Sequence, residues 1–467
     1  MMLPLGLIIF PYLNIQLNKI KKNKDKKNFF LYGFLFGLGF FNFLFIWLIN
    51  PFLVYEETKP YFLFSFLFPL FLSVILGFYF IFFKYIKDYL SSIIFIPIIF
   101  VFFEILVSNL FYSFPWTIFS LIVSNNFLGL FLIKYFGTHF TSFIVISFFM
   151  LPSLFIYRKK IKLYSKIIIF IFICSISLFV LLINYFSYNN KNYEKNLSFE
   201  LFQMNNDIKK LNSNDSEKIY KSIIKNIRQS NAEVLIFSEN NYPYLVKNLN
   251  DLGLNSFLKH NQKLVIGATR HEEGEYFNSL LVLDKNKTNF FDKKILVPFG
   301  EFLPLRKHLS FMEAISGSQD FSSGSQNRIL DLNDKISFIP IICYEIIFFW
   351  KLIDTTNYNA DILINITNDS WFGQKIGPYQ HFYLSKIKAA EFNKMLIRVS
   401  NNGITAIIDN KGNLLQSTNL NQMQKIKGNL SIKNNTNYFK FHKYFNFILL
   451  IFFFLQIFLI FNKKNAK

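Results

Sequence analysis

The segment Ser337-Phe-Ile-Pro-Ile-Ile-Cys343-Tyr344-Glu345 is an apolar run that ends on a thiol and two polar side chains. A short apolar run rich in isoleucine predicts a buried strand. A thiol at the end of such a strand is held rigidly while its sulfur faces a cleft, which is the geometry that a nucleophile needs. The chain has 2 cysteines, and the other, Cys174, lies in a stretch too apolar for this chemistry. Cys343 is therefore the candidate nucleophile.

The chain on both sides of this segment, from 188 to 443, alternates strand-like and helical stretches. Helical patterns lie near 215–229 and 379–393. Alternation with buried strands predicts a layered α/β domain, and its roughly 250 residues suffice for one sizeable core. The strand-like runs are Leu197–Met204, Glu233–Phe237, Lys263–Thr269, Phe277–Leu283, Ser337–Cys343, Asp361–Ile366 and Ile404–Asp409.

The composition is typical of a membrane protein. Of the 467 residues, 52% are hydrophobic and 64 are phenylalanine, and the mean hydropathy is +0.29, values that soluble domains rarely reach. The net charge of +21 would also fit a nucleic-acid-binding protein. The lysines, however, cluster at the ends of the apolar runs, which fits a membrane and argues against nucleic acid as a partner.

Several apolar stretches are long enough to cross a bilayer, which takes roughly 20 residues. A shorter stretch at 2–17 is predicted as a further span and not as a signal peptide, because it has no basic leading region and no small-residue cleavage site. The stretch 111–127 is more polar, and we expect it at the membrane interface. The long stretches lie at about 29–50, 60–83, 89–110, 128–157, 166–187 and 444–462.

Four basic clusters set the predicted orientation, since lysine and arginine favour the cytoplasmic side. Placing all of them there requires seven crossings with the N-terminus outside. We therefore predict a transmembrane domain of about six spans at 1–187, an extracytoplasmic catalytic domain at 188–443, and a last transmembrane helix with a basic tail at 444–467. The four clusters lie at 19–27, 84–87, 158–166 and 463–467.

Two further segments supply polar side chains that can act with Cys343. Glu239 follows the apolar run Val234–Phe237, and Lys293 opens the segment Lys293-Lys-Ile-Leu-Val-Pro-Phe-Gly-Glu301. A thiol is weakly ionised at neutral pH and needs a base, and its attack on a carbonyl creates an oxyanion that a fixed cation stabilises. The three residues are thus a sufficient set for acyl transfer through a thioester. Taken one at a time, they also have structural interpretations: a helix cap, a surface lysine and a small core residue.

The local sequence resembles the nitrilase superfamily and, with apolar spans on both sides of the domain, the apolipoprotein N-acyltransferase family. The lysine motif of that family is matched at Lys293–Glu301, and its Cys-Tyr-Glu motif at Cys343–Glu345. In the apolar part, the spacing of Glu104 to Phe114-Pro-Trp116 and of the Gly37/Gly39 pair to Trp47 is similar as well. The resemblance spans nearly the whole chain. Similar segments after the cysteine are Asn368-Asp-Ser-Trp-Phe-Gly373, Gly377-Pro378, Gln380-His381 and Asn401-Asn-Gly403.

The resemblance implies an αββα sandwich domain joined to a multispan α-helical membrane domain. It implies that Glu239 is the base, Lys293 the oxyanion cation and Cys343 the nucleophile. The acyl donor would be a phospholipid and the acceptor a diacylglyceryl apolipoprotein, at the periplasmic face of a bacterial inner membrane. We expect a monomer that needs neither a cofactor nor a metal.

Further site residues come from the same resemblance. Supporting roles are expected for Glu301, Tyr344 and Glu345. Trp371 and Phe372 are expected to belong to a mobile arm at the lipid entrance, with core packing as the alternative. The residues expected to bind substrate are Trp371, Phe372, Trp116 and Trp47.

The chain departs from the family pattern at several points. The resemblance begins at what looks like the family's second span, and either a missed upstream start or a genuine loss accounts for this. Val107 stands where an arginine is expected, and Phe237-Ser238-Glu239 stands where the family has Trp-Pro-Glu. Asp207 and Asn212 replace the proline and tryptophan that usually follow Gln203. These changes affect lipid binding and leave the chemistry intact.

Two rival functions share part of these features. One is a membrane-tethered amidase of the nitrilase type, which would resolve the thioester with water and hydrolyse a small amide. The other is a transporter or scaffold whose outer domain only binds. A transporter usually carries several ionisable groups in its spans, whereas Glu104 is nearly alone in these. The three candidate catalytic residues together argue against a scaffold.

Overall fold

The computed structural model describes residues 3–21, 25–86, 89–109, 113–160, 194–207, 213–309, 313–348, 351–433 and 442–465. The chain forms two compact units. The first unit comprises the described parts of Met1–Phe43, Phe68–Tyr193 and Phe439–Lys467, and the second comprises Leu44–Leu67 and the described parts of Glu194–Tyr438. Cys174 and the predicted span at 166–187 lie outside the described residues.

Apolar helices dominate the first unit. Within the described ranges, three helical segments are long and apolar enough to cross a membrane: Glu56–Tyr85, Tyr89–Asn109 and Thr138–Ile156. The pair Lys26–Leu44 and Ile46–Leu53, bent by 63°, makes a fourth if it is counted as one span. The α-helices of the described residues, α1 to α12 in chain order, are Leu3–Ile20, Lys26–Leu44, Asn50–Leu53, Leu67–Ile81, Tyr89–Asn109, Phe127–Phe136, Thr138–Phe149, Leu151–Ile156, Ser213–Gln229, Glu313–Ser316, Ile376–Phe392 and His442–Asn465.

The stretch predicted as one span at 128–157 is divided into α6, α7 and α8. Asn126 caps α6, because its side chain accepts a hydrogen bond from the backbone N–H of Leu128 at 2.8 Å. Gly137 separates α6 from α7 with a φ of +79°, in the region that favours glycine. The predicted spans at 2–17 and 444–462 correspond to α1 and α12, which begin at Leu3 and His442.

Glycines allow α2 and α4 to approach closely. A Cβ atom added at Gly37 would lie 2.9 Å from the Cα atom of Ser73, and one added at Gly33 would lie 2.7 Å from the ring of Phe80. Small residues at such contacts are typical of helices that pack in a membrane, where close backbone approach replaces the hydrophobic effect as the source of stability.

Glu104 on α5 organises the polar interior of the first unit. Its carboxylate lies 2.6 Å from Nδ1 of His139 and accepts a hydrogen bond from the Ser142 hydroxyl at 3.0 Å. The backbone N–H of Phe119 donates to it at 3.1 Å. A buried carboxylate is costly unless it is hydrogen-bonded. These bonds therefore fix the segment around Phe119 against α5 and α7, and Trp116 beside this segment in the sequence is buried.

Two six-stranded sheets form the centre of the second unit. The strands β1 to β12 are Glu194–Gln203, Val234–Phe237, Lys263–Glu272, Glu275–Leu283, Thr288–Asp292, Leu330–Asn333, Ile336–Ile342, Ile362–Thr367, Met395–Ser400, Ala406–Ile408, Leu414–Ser417 and Gln424–Lys433. The first sheet has the order β12-β1-β2-β3-β4-β5 and the second β11-β10-β9-β8-β7-β6. Strands β1, β2 and β3 run parallel, as do β7, β8 and β9, and the remaining pairs are antiparallel.

The two sheets pack face to face and are covered by helices. Strands β1 and β2 pack against β9, and β4 packs against β7. Helix α9 covers the first sheet, where Ile223 and Ile227 join the same buried cluster as Leu235 and Leu264. Helix α11 packs on β9 of the second sheet. The central strands are continuous apolar runs because both of their faces are covered. The predicted αββα fold, its seven strands and its two helices are confirmed, apart from shifts at the ends of elements.

The segment Leu44–Leu67 belongs to the second unit, although its apolar sequence led us to predict it within the transmembrane domain. The indole N–H of Trp47 donates to Oε1 of Gln380 at 2.9 Å. The side-chain amide of Asn50 donates to the backbone carbonyl of Phe372 at 3.1 Å. These polar groups attach the segment to α11 and to the loop before it.

Replacing Gly37 by alanine is expected to destabilise the first unit by about 1–3 kcal/mol, because the new methyl group would overlap Ser73. Gly39→Ala on the same helix is the matched control, since nothing lies within 4 Å of its added Cβ. The midpoint of thermal unfolding of the protein purified in detergent should fall for Gly37→Ala and stay at or above the wild-type value for Gly39→Ala. Equal midpoints would contradict the close approach of α2 and α4.

Candidate active site

Cys343 begins the turn that follows β7. The strand Ile336–Ile342 is almost wholly buried, and a short 3-10 helix, Cys343–Ile347, follows it directly. Cys343 has a φ of +51°, a left-handed backbone that costs a residue other than glycine about 1–2 kcal/mol. Its side chain is 7% exposed. Strain of this kind persists only where surrounding contacts hold the backbone in place.

The carboxylate of Glu345 supplies several of these contacts. One of its oxygens accepts a hydrogen bond from the backbone N–H of Ile342 at 2.9 Å. The other accepts from the backbone N–H groups of Lys294 and Ile295 at 2.9 and 3.0 Å. The guanidinium of Arg328 donates to both oxygens, at 2.8 and 2.7 Å. Burial favours the neutral form of Glu345, but Arg328 outweighs this and holds the pKa of the carboxyl below its usual range.

The ammonium group of Lys293 lies between two carboxylates. Its Nζ atom is 2.8 Å from Oε1 of Glu301 and 3.7 Å from Oε1 of Glu239. Asn278 on β4 donates through Nδ2 to the same two oxygens, at 2.7 and 2.8 Å. Lys293 is 1% exposed. One buried cation is thus shared by two carboxylates, which gives this group of side chains an excess of negative charge when both are ionised.

Burial and this charge arrangement set the proton affinities of the site. Burial raises the pKa of Glu239; Lys293 opposes the shift and Glu301 adds to it. Burial disfavours the charged lysine, but the two carboxylates outweigh this and raise the pKa of Lys293. Burial, followed by the Glu239 carboxylate, raises the pKa of the Cys343 thiol. Burial thus favours the protonated thiol of Cys343 and gives Glu239 an enhanced affinity for a proton.

The position of Glu239 is fixed by the ends of two strands. It follows β2, and its Oε2 atom accepts a hydrogen bond at 2.7 Å from the backbone N–H of Asn368, which follows β8. Its carboxylate is near enough to the Cys343 thiol for each group to affect the pKa of the other. A Cβ atom at Gly267 on β3 would lie 2.5 Å from the Cα atom of Glu239, so this strand position requires glycine. The structure brings Glu239, Lys293 and Cys343 together, and their catalytic roles stay predictions.

The residues predicted to bind substrate are more widely distributed. The ring of Phe372 lies edge-to-face with Trp47 at a centroid distance of 4.9 Å. Trp371, which precedes Phe372 in the sequence, is half-buried. Trp116 belongs to the first unit, where it stacks with Phe114 at 5.5 Å. The roles of these residues in substrate binding stay predictions.

The three predicted supporting residues lie close to the candidate nucleophile or lysine. Glu301 contacts Lys293 directly, and Glu345 holds the turn of Cys343. Tyr344 is buried and packs edge-to-face on Phe348 at 5.1 Å. Within the residues that the structure describes, no group of three His, Cys, Asp or Glu side chains could hold a metal ion.

Sequence reasoning missed two residues that position the site. Asn278 bridges Glu239 and Glu301, and the only local signal was a polar amide inside the predicted strand Phe277–Leu283. Arg328 precedes β6 in a stretch without a periodic pattern. The sequence gives no sign that Arg328 and Glu345 form an ion pair, and only the folded structure shows it.

Comparison with known proteins matches both halves of the chain. The family model described as "Apolipoprotein N-acyltransferase N-terminal domain" matches residues 1–151, and the model described as "Carbon-nitrogen hydrolase" matches residues 202–433. The chain is 31% identical over 420 residues to the apolipoprotein N-acyltransferase of Wigglesworthia glossinidia brevipalpis, an alignment that covers 82% of this chain and 79% of that one.

The chain belongs to the apolipoprotein N-acyltransferase family. A second member, from Rickettsia typhi, is 42% identical over 156 residues, which span 33% of this chain and 31% of that one. This chain thus aligns with about a third of the length of the Rickettsia relative. A carbon–nitrogen hydrolase superfamily protein from Xanthomonas campestris, of known crystal structure, is 14% identical with a TM-score of 0.38, covering 51% of this chain and 91% of that one.

Arg328→Met should lower the free energy of unfolding by about 3–5 kcal/mol, because it leaves the buried carboxylate of Glu345 without its cation. Adding Glu345→Gln should recover part of the loss, since the double variant buries no charge. The pKa of Glu345 is lowered in the fold, so the pair stabilises the protein above the carboxyl's unfolded pKa and loses this effect as the pH falls. Denaturant unfolding at several pH values should therefore show a deficit for Arg328→Met that shrinks towards acid. A deficit independent of pH would contradict the charge argument.

Proposed function

We propose that the chain transfers a fatty acyl chain from a phospholipid to the N-terminal α-amino group of the diacylglyceryl cysteine of apolipoproteins, the last step of bacterial lipoprotein maturation. The observation that carries the proposal is the buried group of Glu239, Lys293 and Cys343 in a member of this family that also contains apolar helices long enough to cross a membrane. A thiol, a base and a fixed cation together suffice for acyl transfer.

The first half-reaction forms a thioester on Cys343. Glu239 takes the proton from the nearby thiol, and the thiolate attacks the ester carbonyl of the phospholipid. Negative charge develops on the carbonyl oxygen, and Lys293, which is buried and already charged, stabilises it without reorganisation. The carbon–oxygen bond of the ester then breaks. The leaving lysophospholipid oxygen receives the proton from Glu239.

The second half-reaction resolves the thioester with an amine. The free α-amino group of the diacylglyceryl cysteine attacks the thioester carbonyl, a carbon–nitrogen bond forms, and the carbon–sulfur bond breaks. Glu239 accepts the proton of the amine and returns it to the sulfur of Cys343. Because both half-reactions use one site and the first product leaves before the second substrate reacts, ping-pong kinetics are expected.

The membrane part supports a lipid donor and an extracytoplasmic site. The helices long and apolar enough to cross a membrane support a bilayer location, and the basic clusters between them favour an orientation in which the catalytic domain faces the periplasm. The acceptor of this reaction is presented on the outer face of the bacterial inner membrane, which is the side that this orientation gives. Phe372, which is half-buried and packs on the buried ring of Trp47, is the aromatic side chain proposed to contact an acyl chain.

Labelled phospholipid should leave acyl label on Cys343 of the purified protein, detected by mass spectrometry of the peptide that carries it. Cys343→Ser is expected to abolish labelling and acyl transfer, because a hydroxyl is a much weaker nucleophile with the same base. Glu239→Gln and Lys293→Met should each block formation of the thioester, since the base and the oxyanion cation are both needed in the first half-reaction.

Full transfer activity in Cys343→Ser would refute the assignment of the nucleophile. Label that accumulates at the wild-type rate in Glu239→Gln or Lys293→Met would show that their roles are assigned wrongly. A thioester that is resolved by water and not by the amine of a diacylglyceryl peptide would favour the membrane-tethered amidase of small amides.

The catalytic domain is expected to face the periplasm. A cysteine introduced at the exposed position Asn250 should react with a membrane-impermeant thiol reagent in intact spheroplasts, because every basic cluster is cytoplasmic only in this topology. The wild-type chain serves as the background control. Labelling that requires lysis would overturn the topology and, with it, the lipoprotein acceptor.

A further inference from the structure

A buried polar cluster in the second sheet is not used by the chemistry proposed above. It consists of Arg398 on β9, Asp369 in the turn after β8, and His381 on α11, all with no exposed surface. Nη2 of Arg398 donates to Oδ2 of Asp369 at 2.7 Å, and Nδ1 of His381 lies 2.7 Å from Oδ1 of the same carboxylate. An ionised carboxylate only accepts hydrogen bonds, so Nδ1 of His381 carries a proton. Burial raises the pKa of Asp369, but Arg398 and then His381 outweigh it, and the carboxyl stays ionised.

The cluster reaches the backbone of Cys343 through Asn365. Nη1 of Arg398 donates to Oδ1 of Asn365 at 2.7 Å, and the amide of Asn365 donates to the carbonyls of Ile341 at 3.2 Å and Cys343 at 3.4 Å. The left-handed backbone of Cys343 is therefore held from this side by Arg398, and His381 contributes by holding the Asp369 carboxylate to which Arg398 is bound.

The cluster also adjoins the residue that orients Glu239. Asp369 follows Asn368, whose backbone N–H donates to the Glu239 carboxylate. The hydroxyl of Ser400 donates to Oδ2 of Asp369 at 3.1 Å and accepts from the backbone N–H of Gly403 at 2.9 Å. A Cβ atom at Gly403 would lie within 1.9 Å of Oδ2 of Asp369, so only glycine leaves room for this carboxylate.

We propose that Arg398, Asp369 and His381 form a positioning unit that keeps the strained turn of Cys343 and the carboxylate of Glu239 in register for attack by the thiol. The three residues touch neither substrate nor the reacting atoms, and they act through Asn365, Asn368 and the backbone of Cys343. The proposal has two readouts, the rate of thioester formation and the rate of alkylation of Cys343. Only the first rests on the proposed function. Displacement of a reacting group by about 1 Å costs about 100-fold in rate, so a unit of this kind acts on turnover and not on binding.

The main test compares two variants that each leave one buried carboxylate without its cation. Arg398→Met leaves the buried carboxylate of Asp369 without its arginine. Lys388→Met leaves Glu391 without its lysine, with which it forms a buried ion pair at 2.8 Å on α11. Both variants are expected to lower the midpoint of thermal unfolding to a similar extent. Only Arg398→Met is expected to lower the rate of thioester formation at saturating phospholipid, by about 100-fold, with the half-saturating concentration unchanged within about twofold.

A second comparison uses conservative rescue at His381. An asparagine amide can donate to Asp369 from about the position of Nδ1, whereas leucine cannot donate. His381→Asn should therefore retain most of the rate of thioester formation, and His381→Leu should lose it. Equal rates in the two variants would overturn the proposed role of the His381–Asp369 hydrogen bond.

A readout that needs no phospholipid separates this proposal from the proposed function. Glu239 after β2 and Lys293 after β5 are the charged groups with the largest effect on the pKa of the Cys343 thiol, and Asp369 after β8 has a smaller one. Alkylation of Cys343 by iodoacetamide at neutral pH, followed on its own peptide by mass spectrometry, should be about tenfold slower in Arg398→Met than in Lys388→Met, because the base is no longer aligned. An equal or faster rate overturns the positioning unit. A wild-type protein that is alkylated normally but forms no thioester would instead refute the proposed function alone.

Discussion

The carboxylate of Glu345 is the point on which the catalytic geometry depends, because it binds the ends of two strands from different sheets. It accepts hydrogen bonds from the backbone after Lys293, which follows β5, and from the backbone before Cys343, which follows β7. Lys293 follows a strand of the first sheet and Cys343 a strand of the second, so neither sheet alone could bring these two side chains together. The cost of burying the carboxylate is offset by Arg328, so the ion pair fixes a distance between two sheets that apolar packing alone would leave adjustable.

The charge balance of the site follows from this placement. With Lys293 held beside Glu239 and Glu301, a single cation serves two carboxylates, and Asn278 bridges them with neutral N–H donors. An excess of negative charge raises the proton affinity of Glu239, and the same two carboxylates keep Lys293 charged. The properties that the proposed base and oxyanion cation need therefore depend on each other and on the burial of both side chains.

The three candidate catalytic residues could be found from the sequence because each lies in a distinctive local context. Cys343 and Glu239 follow apolar strands, and Lys293 opens a motif with its own proline and glycine. The residues that position these three could not be predicted from the sequence. Arg328 lies in a loop without a recognisable motif, and its ion pair with Glu345 forms only when β7 brings Glu345 beside it. Likewise β12 was missed, since its alternating polar sequence is stabilised by pairing with β1, more than two hundred residues away. Apolar length predicted helices at 60–83 and 89–110, but the stretch 128–157 is divided at Gly137 and again near Met150. It did not predict the 63° bend after Leu44, where the polar bond of Trp47 to Gln380 fixes the following turn to the catalytic unit.

The pairing of β1 with β12 has a topological consequence. Glu194, the first residue of the first strand, is aligned with Lys433, the last residue of the last strand, so the chain enters and leaves the sandwich at one corner of one sheet. Ends that meet in this way are the geometry that allows a module to be inserted into another chain. The sandwich nevertheless depends on the apolar sequence before it, because Leu44–Leu67 belongs to the same unit and the indole of Trp47 donates to Gln380. An exchange of the sandwich in evolution would therefore have to include this distant segment.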